Sequence, residues 1–287
     1  MAAMMTRTCA FQVNLDLGDP GQRDERWLVA NLVAPVACAT FASSPGPGVV
    51  SVRARTWQRL DPTRTGFPAR LVAGSSADPV DQLTQAAMAA DVLLVRRTNT
   101  TWEPGRPGWT FGDWLGHGHP RHGRPSVDDL RYHLTTLFLE VRPRGFLELR
   151  AIDAVPARWR PVPVTLLAGL LEDPAARGQT RALLERHRSR LPRLWHRAAT
   201  AGVADPELCA LAVETWSLAL AGPGGCPPAT SAHPTCGAAE EFLDRLTLRG
   251  RCPADELRDA LTRGPSAGLA WAAEPAEPAP CISTRSR

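Results

Sequence analysis

Two short segments in which apolar and polar residues alternate restrict most strongly how this chain can fold. In the segment CAFQVNLDL, residues 9–17, one face of an extended chain would carry Phe11, Val13, Leu15 and Leu17. The other face would carry Ala10, Gln12, Asn14 and Asp16. Because successive side chains of a strand point to opposite sides, the segment predicts a strand with one apolar and one polar face.

A second segment of the same kind lies in HLTTLFLEVRPRGFLELR, residues 133–150, a stretch that reads as a buried strand. At its end Leu147 and Leu149 alternate with Phe146, Glu148 and Arg150. An antiparallel sheet with one face in water is the simplest interpretation. However, Gln, Asn and Asp are poor strand formers. A Glu and an Arg two residues apart also suit a metal ion and the phosphate it neutralises.

The segment SVRARTWQRLDPTRTGFPAR, residues 51–70, places several arginines around Trp57 and the turn sequence DPTRTG. Guanidinium groups beside a turn can clamp carboxylates or phosphates through paired hydrogen bonds. Arginines that simply face solvent are the alternative interpretation.

Four segments carry a family resemblance, and they occur in the order MMTRTCAFQVNLD, RTWQRLDPTRTG, WTFGDWL and DDLRYHLTTLFLEVRPRGFLELRAIDA. Together they resemble the glutamate–cysteine ligases, above all the plant-type and actinobacterial branch, which includes the ligase that opens ergothioneine biosynthesis. The resemblance is strong over residues 4–160 and continues more weakly to the segment RGRCPADEL.

The resemblance implies an α+β fold: a glutamine-synthetase-like antiparallel sheet curled into a funnel, with helices outside and a mainly helical C-terminal half. It also implies an ATP-dependent reaction in which the γ-carboxylate of glutamate is phosphorylated and then attacked by the amine of cysteine. The products are γ-glutamylcysteine, ADP and phosphate. Mg²⁺ is expected to accompany ATP.

The resemblance also implies roles for individual residues on the polar strand faces. It makes Arg150 and Arg64 the catalytic candidates, Glu148 and Gln12 the metal ligands, and Gln12, Asn14 and Arg53 the substrate- or nucleotide-binding residues. His133, Thr135 and Thr136 are expected to shape the pocket.

One departure concerns the start of the chain. The family has an N-terminal segment, with a Gly-x-Glu-x-Glu-like strand, that supplies much of the magnesium coordination. We expect this part of the fold to be missing here, with a separate chain carrying it as the implied partner. The alternatives are a catalytically inactive remnant or interaction subunit, and a carboxylate–amine ligase with another amino-acid acceptor.

Three regions follow from the sequence. Residues 1–160 are expected to form a partial catalytic sheet domain. Residues 161–262 carry Ala, Leu and Arg at helical spacing and predict a helical region. Residues 263–287 are rich in Pro and Ala and are expected to be disordered.

Composition excludes several classes of protein. All 33 basic residues are arginine, the net charge is only +4, and the arginines are interleaved with acids. A nucleic-acid binder more often gathers its basic residues in a stripe. No stretch reaches the roughly 20 apolar residues of a membrane span, and no signal peptide is apparent. We therefore expect a cytoplasmic protein with reduced cysteines.

Two further groups of residues are candidates for metal binding. One is the set His117, His119 and His122, and the other is the set Cys226, His233, Cys236 and Cys252. Neither has the spacing of a standard zinc site. Cys9 is expected to be a core cysteine rather than a nucleophile.

Overall fold

The computed structural model describes residues 2–75, 78–96, 101–221 and 234–275. The strands are β1 (Ala10–Asp16), β2 (Thr65–Gly66), β3 (Leu94–Arg96), β4 (Trp102–Pro104), β5 (Phe138–Leu139), β6 (Val141–Pro143) and β7 (Phe146–Asp153). The helices of the first half are α1 (Ala2–Arg7), α2 (Arg23–Thr40), α3 (Val52–Gln58), α4 (Ala69–Val72), α5 (Pro79–Ala89), α6 (Phe111–His117) and α7 (Val127–Thr135). Those of the second half are α8 (Pro161–Glu172), α9 (Pro174–Leu184), α10 (Leu191–Ala201), α11 (Pro206–Ala221), α12 (Pro234–Arg245), α13 (Pro253–Thr262) and α14 (Pro265–Ala273).

The fold is α+β, but its strands form three small sheets in the described part of the chain. The largest has the order β1-β7-β6 and is antiparallel throughout. β3 and β4 form an antiparallel pair, whereas β2 and β5 form a parallel pair. The parallel pair departs from the mainly antiparallel sheet that the family resemblance implies.

The expectation of one buried strand over residues 133–150 is wrong. Ser126 and Asp129 form a capping box that starts α7, and this helix continues to Thr135. The rest of the stretch is β5 followed by the β6–β7 hairpin. Gly145 has a φ of +79° at the turn of that hairpin, a conformation that glycine adopts without a steric cost.

The register of the β1–β7 pair fixes which side chains share a face. Asn14 lies opposite Glu148, and Leu15 lies opposite Leu147. Side chains directly opposite each other in a sheet lie on the same face. Gln12, two residues from Asn14, therefore shares a face with Glu148, as the alternation predicts. The register shifts at a bulge between Phe11 and Val13, which includes Gln12, so the face of Gln12 follows from its spacing to Asn14 and not from a paired residue.

The apolar face of this sheet is covered by α2, which packs against β7. Val29 and Val33 of α2 and Leu147 of β7 have no exposed surface. Fully burying a side chain of this kind contributes about 1.5–3 kcal/mol relative to leaving it exposed. The buried helix therefore covers the apolar face of the sheet, and the polar face remains available for other contacts.

One hydrophobic core runs across position 160 and includes Leu147, Leu149, Leu166 and Trp216. Residues on both sides of position 160 pack into the same core, so the core does not divide at the predicted boundary between residues 160 and 161. No helix in the described ranges has the length and hydrophobicity needed to cross a membrane.

The expectation of disorder from residue 263 is wrong for α14. Gly268 of this helix packs closely on Leu261, where an added Cβ would lie 2.6 Å from Leu261 Cδ2. The Nε1–H group of Trp271 donates to Glu256 Oε2 at 3.2 Å. An alanine-rich segment is a strong helix former once one face finds a partner. Residues 276–287 lie outside the described residues.

Candidate functional site

Two Glu-x-Arg segments face each other in the β6–β7 hairpin. Arg142 of β6 is the register partner of Glu148 of β7. The backbone N–H of Arg150 donates to the carbonyl oxygen of Glu140 at 2.9 Å, which places Glu140 beside Arg150. Each carboxylate thus stands across the hairpin from a guanidinium group.

The carboxylate of Glu148 is held in its ionised form. Arg142 Nε donates to Glu148 Oε2 at 2.6 Å, and Glu148 is only 8% exposed. Burial acts to raise the pKa of Glu148, but the hydrogen bond and charge of Arg142, with the charge of Arg150, outweigh it and lower the pKa. Glu148 therefore presents a negative charge on the polar face at neutral pH.

The guanidinium of Arg150 is fixed by the indole ring of Trp57. Arg150 Cζ lies 5.1 Å from the ring centroid, within the range of a cation–π contact. Its Nε and Nη1 atoms are buried and have no hydrogen-bond partner among the described residues. Burial, followed by the charge of Arg142, lowers the pKa of Arg150 to about 10, so the group stays charged at neutral pH.

Glu140 is a site residue that the sequence reasoning missed. It is 3% exposed, and its Oε2 atom has no hydrogen-bond partner in the described part of the chain. Burial raises the pKa of Glu140, although Arg53 and Arg150 act in the opposite direction. The signal that could have found it is the repeated Glu-x-Arg pattern on either side of the hairpin turn.

Gln12 and Asn14 are exposed on β1, an edge strand of the described three-stranded sheet. Neither side chain is hydrogen-bonded to any other described residue. The structure thus brings Gln12, Asn14, Glu148 and Arg150 to one face, with two amides that are free to bind a ligand.

Arg53, expected to bind substrate, directs its donors at the β7 backbone. Its Nη2 donates to the carbonyl oxygen of Arg150, and its Nη1 donates to that of Ala151 at 3.4 Å. Arg53 Nη1 also lies 3.9 Å from Asp153 Oδ1. These contacts position the strand that carries Glu148.

Arg64, expected to be catalytic, is 1% exposed and is surrounded by protein acceptors. Its Nε donates to Asp61 Oδ2 at 2.8 Å, and its Nη1 donates to the carbonyl oxygen of Thr136 at 3.1 Å. Its Nη2 donates to the carbonyl oxygen of Asp91. None of these partners belongs to the Glu148 face, so the structure does not join Arg64 to the other predicted site residues.

The residues expected to shape a pocket lie at the end of α7. His133 Nε2 lies 2.9 Å from the carbonyl oxygen of Ala87, and burial lowers the pKa of His133. Thr136 Oγ1 donates to the carbonyl oxygen of His133. Thr135 lines a largely apolar cavity of about 460 Å³ together with Arg142.

The described residues alone do not fit a magnesium site. They contain no group of three or more His, Cys, Asp or Glu side chains arranged to hold a metal ion. Mg²⁺ prefers six oxygen ligands, and Glu148 already has an ion pair with Arg142. Metal ligation by Glu148 and Gln12 stays a prediction that would need further ligands from elsewhere.

The absence of such a group also weighs against the histidine alternative. His119 and His122 stack with their ring centroids 4.4 Å apart, and His122 Nε2 lies 3.1 Å from Glu103 Oε2. In the cysteine alternative, Cys226, His233 and the side chain of Cys236 lie outside the described part of the chain. Cys252 is buried and its backbone N–H donates to Asp255 at the start of α13.

The cysteines whose side chains are described, Cys9, Cys38, Cys209 and Cys252, are all free thiols. Cys9 is exposed directly before β1, so the expectation of a core cysteine is wrong. Cys9 lies outside the strand, one residue before it begins at Ala10.

Comparison with known proteins places this chain in a family. The model of "Glutamate-cysteine ligase family 2" matches residues 1–273. A protein of Mycolicibacterium smegmatis named glutamate–cysteine ligase EgtA is 36% identical over 279 residues, covering 93% of this chain and 61% of the relative. Its counterpart in Mycobacterium tuberculosis is 35% identical over 273 residues, covering 92% and 59%.

Plant proteins match a shorter part of the chain. The chloroplastic glutamate–cysteine ligase of Medicago truncatula is 33% identical over 164 residues, covering 55% of this chain and 31% of the relative. The chain spans about three fifths of the length of the bacterial relatives. The family match over nearly its whole length nevertheless shows that the chain belongs to the glutamate–cysteine ligase family 2.

Proposed function

We propose that this chain supplies one catalytic face of an ATP-dependent ligase that joins glutamate to cysteine. A γ-carboxylate oxygen of glutamate attacks the γ-phosphorus of ATP, and ADP leaves. The cysteine amine then attacks the acyl carbon, loses a proton and displaces phosphate, which yields γ-glutamylcysteine. This product would serve the synthesis of a low-molecular-weight thiol of the ergothioneine or glutathione type.

The observation that carries the proposal is the fixed guanidinium of Arg150 beside the ionised carboxylate of Glu148. Phosphoryl transfer depends on positioned charges more than on covalent chemistry by the protein. Arg150 has a planar group held on Trp57 and two donor nitrogens, Nε and Nη1, without a partner among the described residues. We assign Arg150 to the oxygens of the transferred phosphate.

The other residues of the face have supporting roles in this proposal. Gln12 and Asn14 would bind polar groups of the nucleotide or substrate through their exposed amides. Glu148 would contribute one oxygen ligand to a magnesium site completed by residues from outside the described set. We assign Arg53 and Arg64 to positioning, because both Nη groups of Arg53 donate to the β7 backbone and the guanidinium of Arg64 donates to Asp61, Thr136 and Asp91.

The second part of the proposal concerns the portion of the relatives that this chain does not match. About two fifths of each bacterial relative lies outside the matched region. We infer that a polypeptide equivalent to that portion is needed to complete the site, either in the same protein or as a partner. An inactive remnant or interaction subunit is the rival function that the same observation favours.

The test is to measure phosphate release that depends on ATP, glutamate and cysteine. We would assay residues 1–287 alone and with the unmatched portion of the Mycolicibacterium smegmatis relative supplied in trans. We expect no measurable γ-glutamylcysteine from the chain alone and turnover from the mixture. The unmatched portion alone is the control.

Three results would contradict the proposal or part of it. Robust turnover by residues 1–287 alone would show that the chain completes its own site. A mixture that forms a stable complex yet never turns over would favour the inactive remnant. Turnover with a different amine and not with cysteine would show that the enzyme uses another acceptor.

A further inference from the structure

We propose that the C-terminal helices form a second site, which binds a small phosphate-bearing molecule between Arg249 and Arg263 against the ring of Trp271. The proposal is independent of the ligase function, because none of these residues belongs to the β1-β7-β6 sheet.

The site is a cavity of about 320 Å³ between the end of α12, helix α13 and helix α14. This volume lies at the lower end of the range of small-molecule sites. Its charged lining residues are Arg245, Arg249, Arg251, Arg263, Glu256 and Asp259. Four positive and two negative side chains give the lining a net charge of +2.

Both carboxylates of the cavity are already paired. Glu256 Oε1 accepts from Arg245 Nε at 2.6 Å. Glu256 Oε2 accepts from the indole N–H groups of Trp159 and Trp271, each at 3.2 Å. Asp259 forms an ion pair with Arg251. The two acids therefore neutralise Arg245 and Arg251 and leave the other two arginines.

Arg249 and Arg263 carry the excess charge. Arg249 Nε donates to the carbonyl oxygen of Asp244 at 3.1 Å, and Arg263 Nη1 donates to that of Asp259 at 3.5 Å. Neither arginine forms an ion pair with any described residue. Both side chains are exposed, so each guanidinium keeps free N–H donors for an incoming anion.

Local structure holds these groups around the cavity. Gly250, between Arg249 and Arg251, has a φ of +63°, which turns the chain sharply at that point. Gly268 lets α14 lie close to α13, and the bond from Trp271 to the buried Glu256 fixes the orientation of the indole. The position of the Trp271 indole and the turn at Gly250 are therefore both set by contacts within the fold.

The chemistry of the ligand follows from these groups. Two free guanidinium groups match the charge and the oxygen donors of a phosphate. The indole of Trp271 adds an apolar surface that a planar ring could cover. The ligand class is thus a small phosphate compound, either inorganic or attached to an organic ring.

The experiment is calorimetric titration with inorganic pyrophosphate and, separately, with AMP, at low salt. We expect binding to residues 1–287, and a loss of affinity of at least about tenfold in Arg249→Gln/Arg263→Gln, since two charge-assisted contacts are removed. Arg160→Gln/Arg193→Gln is the matched control, because both arginines are exposed and form no ion pair in the described chain. Its affinity should equal that of the wild type.

A second variant separates this site from the ligase face. Arg150→Gln should leave pyrophosphate binding at the C-terminal site intact. Binding that survives Arg249→Gln/Arg263→Gln and disappears in Arg150→Gln would overturn the proposal, as would no binding of either probe. Tighter binding of AMP that is lost in Trp271→Leu would support an organic phosphate, and equal binding of both probes would support an inorganic one.

Discussion

Arg142 of β6 lies opposite Glu148 of β7 and donates its Nε–H to Glu148 Oε2 at 2.6 Å. The contact joins adjacent strands on the polar face of the sheet, in the same row as Asn14 of β1. A charge pair of this burial is costly to break from one side, because the remaining charge loses its partner. The pair therefore fixes the carboxylate that the proposed chemistry needs.

Glu148→Gln should reduce turnover of the completed ligase by about 10²–10³-fold, the usual loss when one stabilising charge group is removed from an active site. The amide keeps the shape of the side chain and removes its charge. Steady-state phosphate release measures the effect. Glu185→Gln is the control, since Glu185 pairs with Arg181 outside the sheet. Near-normal turnover in Glu148→Gln would remove the residue from the site.

Arg150→Lys should be impaired nearly as strongly as Arg150→Gln, although it preserves the charge. A point ammonium cannot provide the planar fork or the stacking on Trp57. We would compare kcat/KM for ATP in the two variants with that of Arg193→Lys, an exposed position. Activity of Arg150→Lys close to wild type would show that only charge matters there.

The sequence predicts part of this arrangement for clear physical reasons. Alternation has a period of two in any strand, so the shared face of Gln12 and Glu148 could be predicted before the structure was known. The break of residues 133–150 into a helix and a hairpin could not, since an apolar run does not distinguish strand from buried helix. Arg53 and Arg64 show the same limit: a cluster of arginines does not indicate which acceptors take their hydrogen bonds.

The indole ring of Trp57 lies against the guanidinium of Arg150. Replacing Trp57 by Ala or by Phe should separate the loss of packing volume from the loss of the indole N–H. Trp57→Ala should destabilise the fold by about 3–5 kcal/mol, the usual cost of deleting a buried large aromatic side chain. Trp57→Phe should cost much less, because the Nε1–H of Trp57 is buried without a partner among the described residues and phenylalanine removes that donor. Urea unfolding measures both. A larger loss in Trp57→Phe than in Trp57→Ala would contradict this account.

The stability of Glu140→Gln relative to the wild type should increase as the pH rises. Burial raises the pKa of Glu140 above its ordinary 4.5, so the folded state holds this proton more tightly than the unfolded state. Its contribution to stability is fully present below the unfolded pKa and is lost as the pH rises through the folded pKa. The variant lacks that loss. Unfolding midpoints of wild type and variant, measured on both sides of the ordinary pKa, should diverge in favour of Glu140→Gln with rising pH.

Glu207→Gln should show the opposite dependence. Glu207 Oε1 accepts from Arg190 Nη1 at 2.8 Å, and Glu207 Oε2 accepts from Arg197 Nη1 at 2.5 Å. The hydrogen bond from Arg190, with that from Arg197, lowers the pKa of Glu207 from 4.5 to about 2. A depressed pKa gives stability that is present above the unfolded pKa and is lost as the pH falls through the folded pKa. The wild type should therefore exceed Glu207→Gln in unfolding midpoint at neutral pH, and the difference should shrink between pH 4.5 and about 2. Asp259→Asn is the control. Asp259 also pairs with an arginine, Arg251, but its carboxylate is exposed, and solvent screens such a pair. A difference between wild type and Glu207→Gln that stays constant over this range would show that the two arginines do not stabilise the ionised carboxylate.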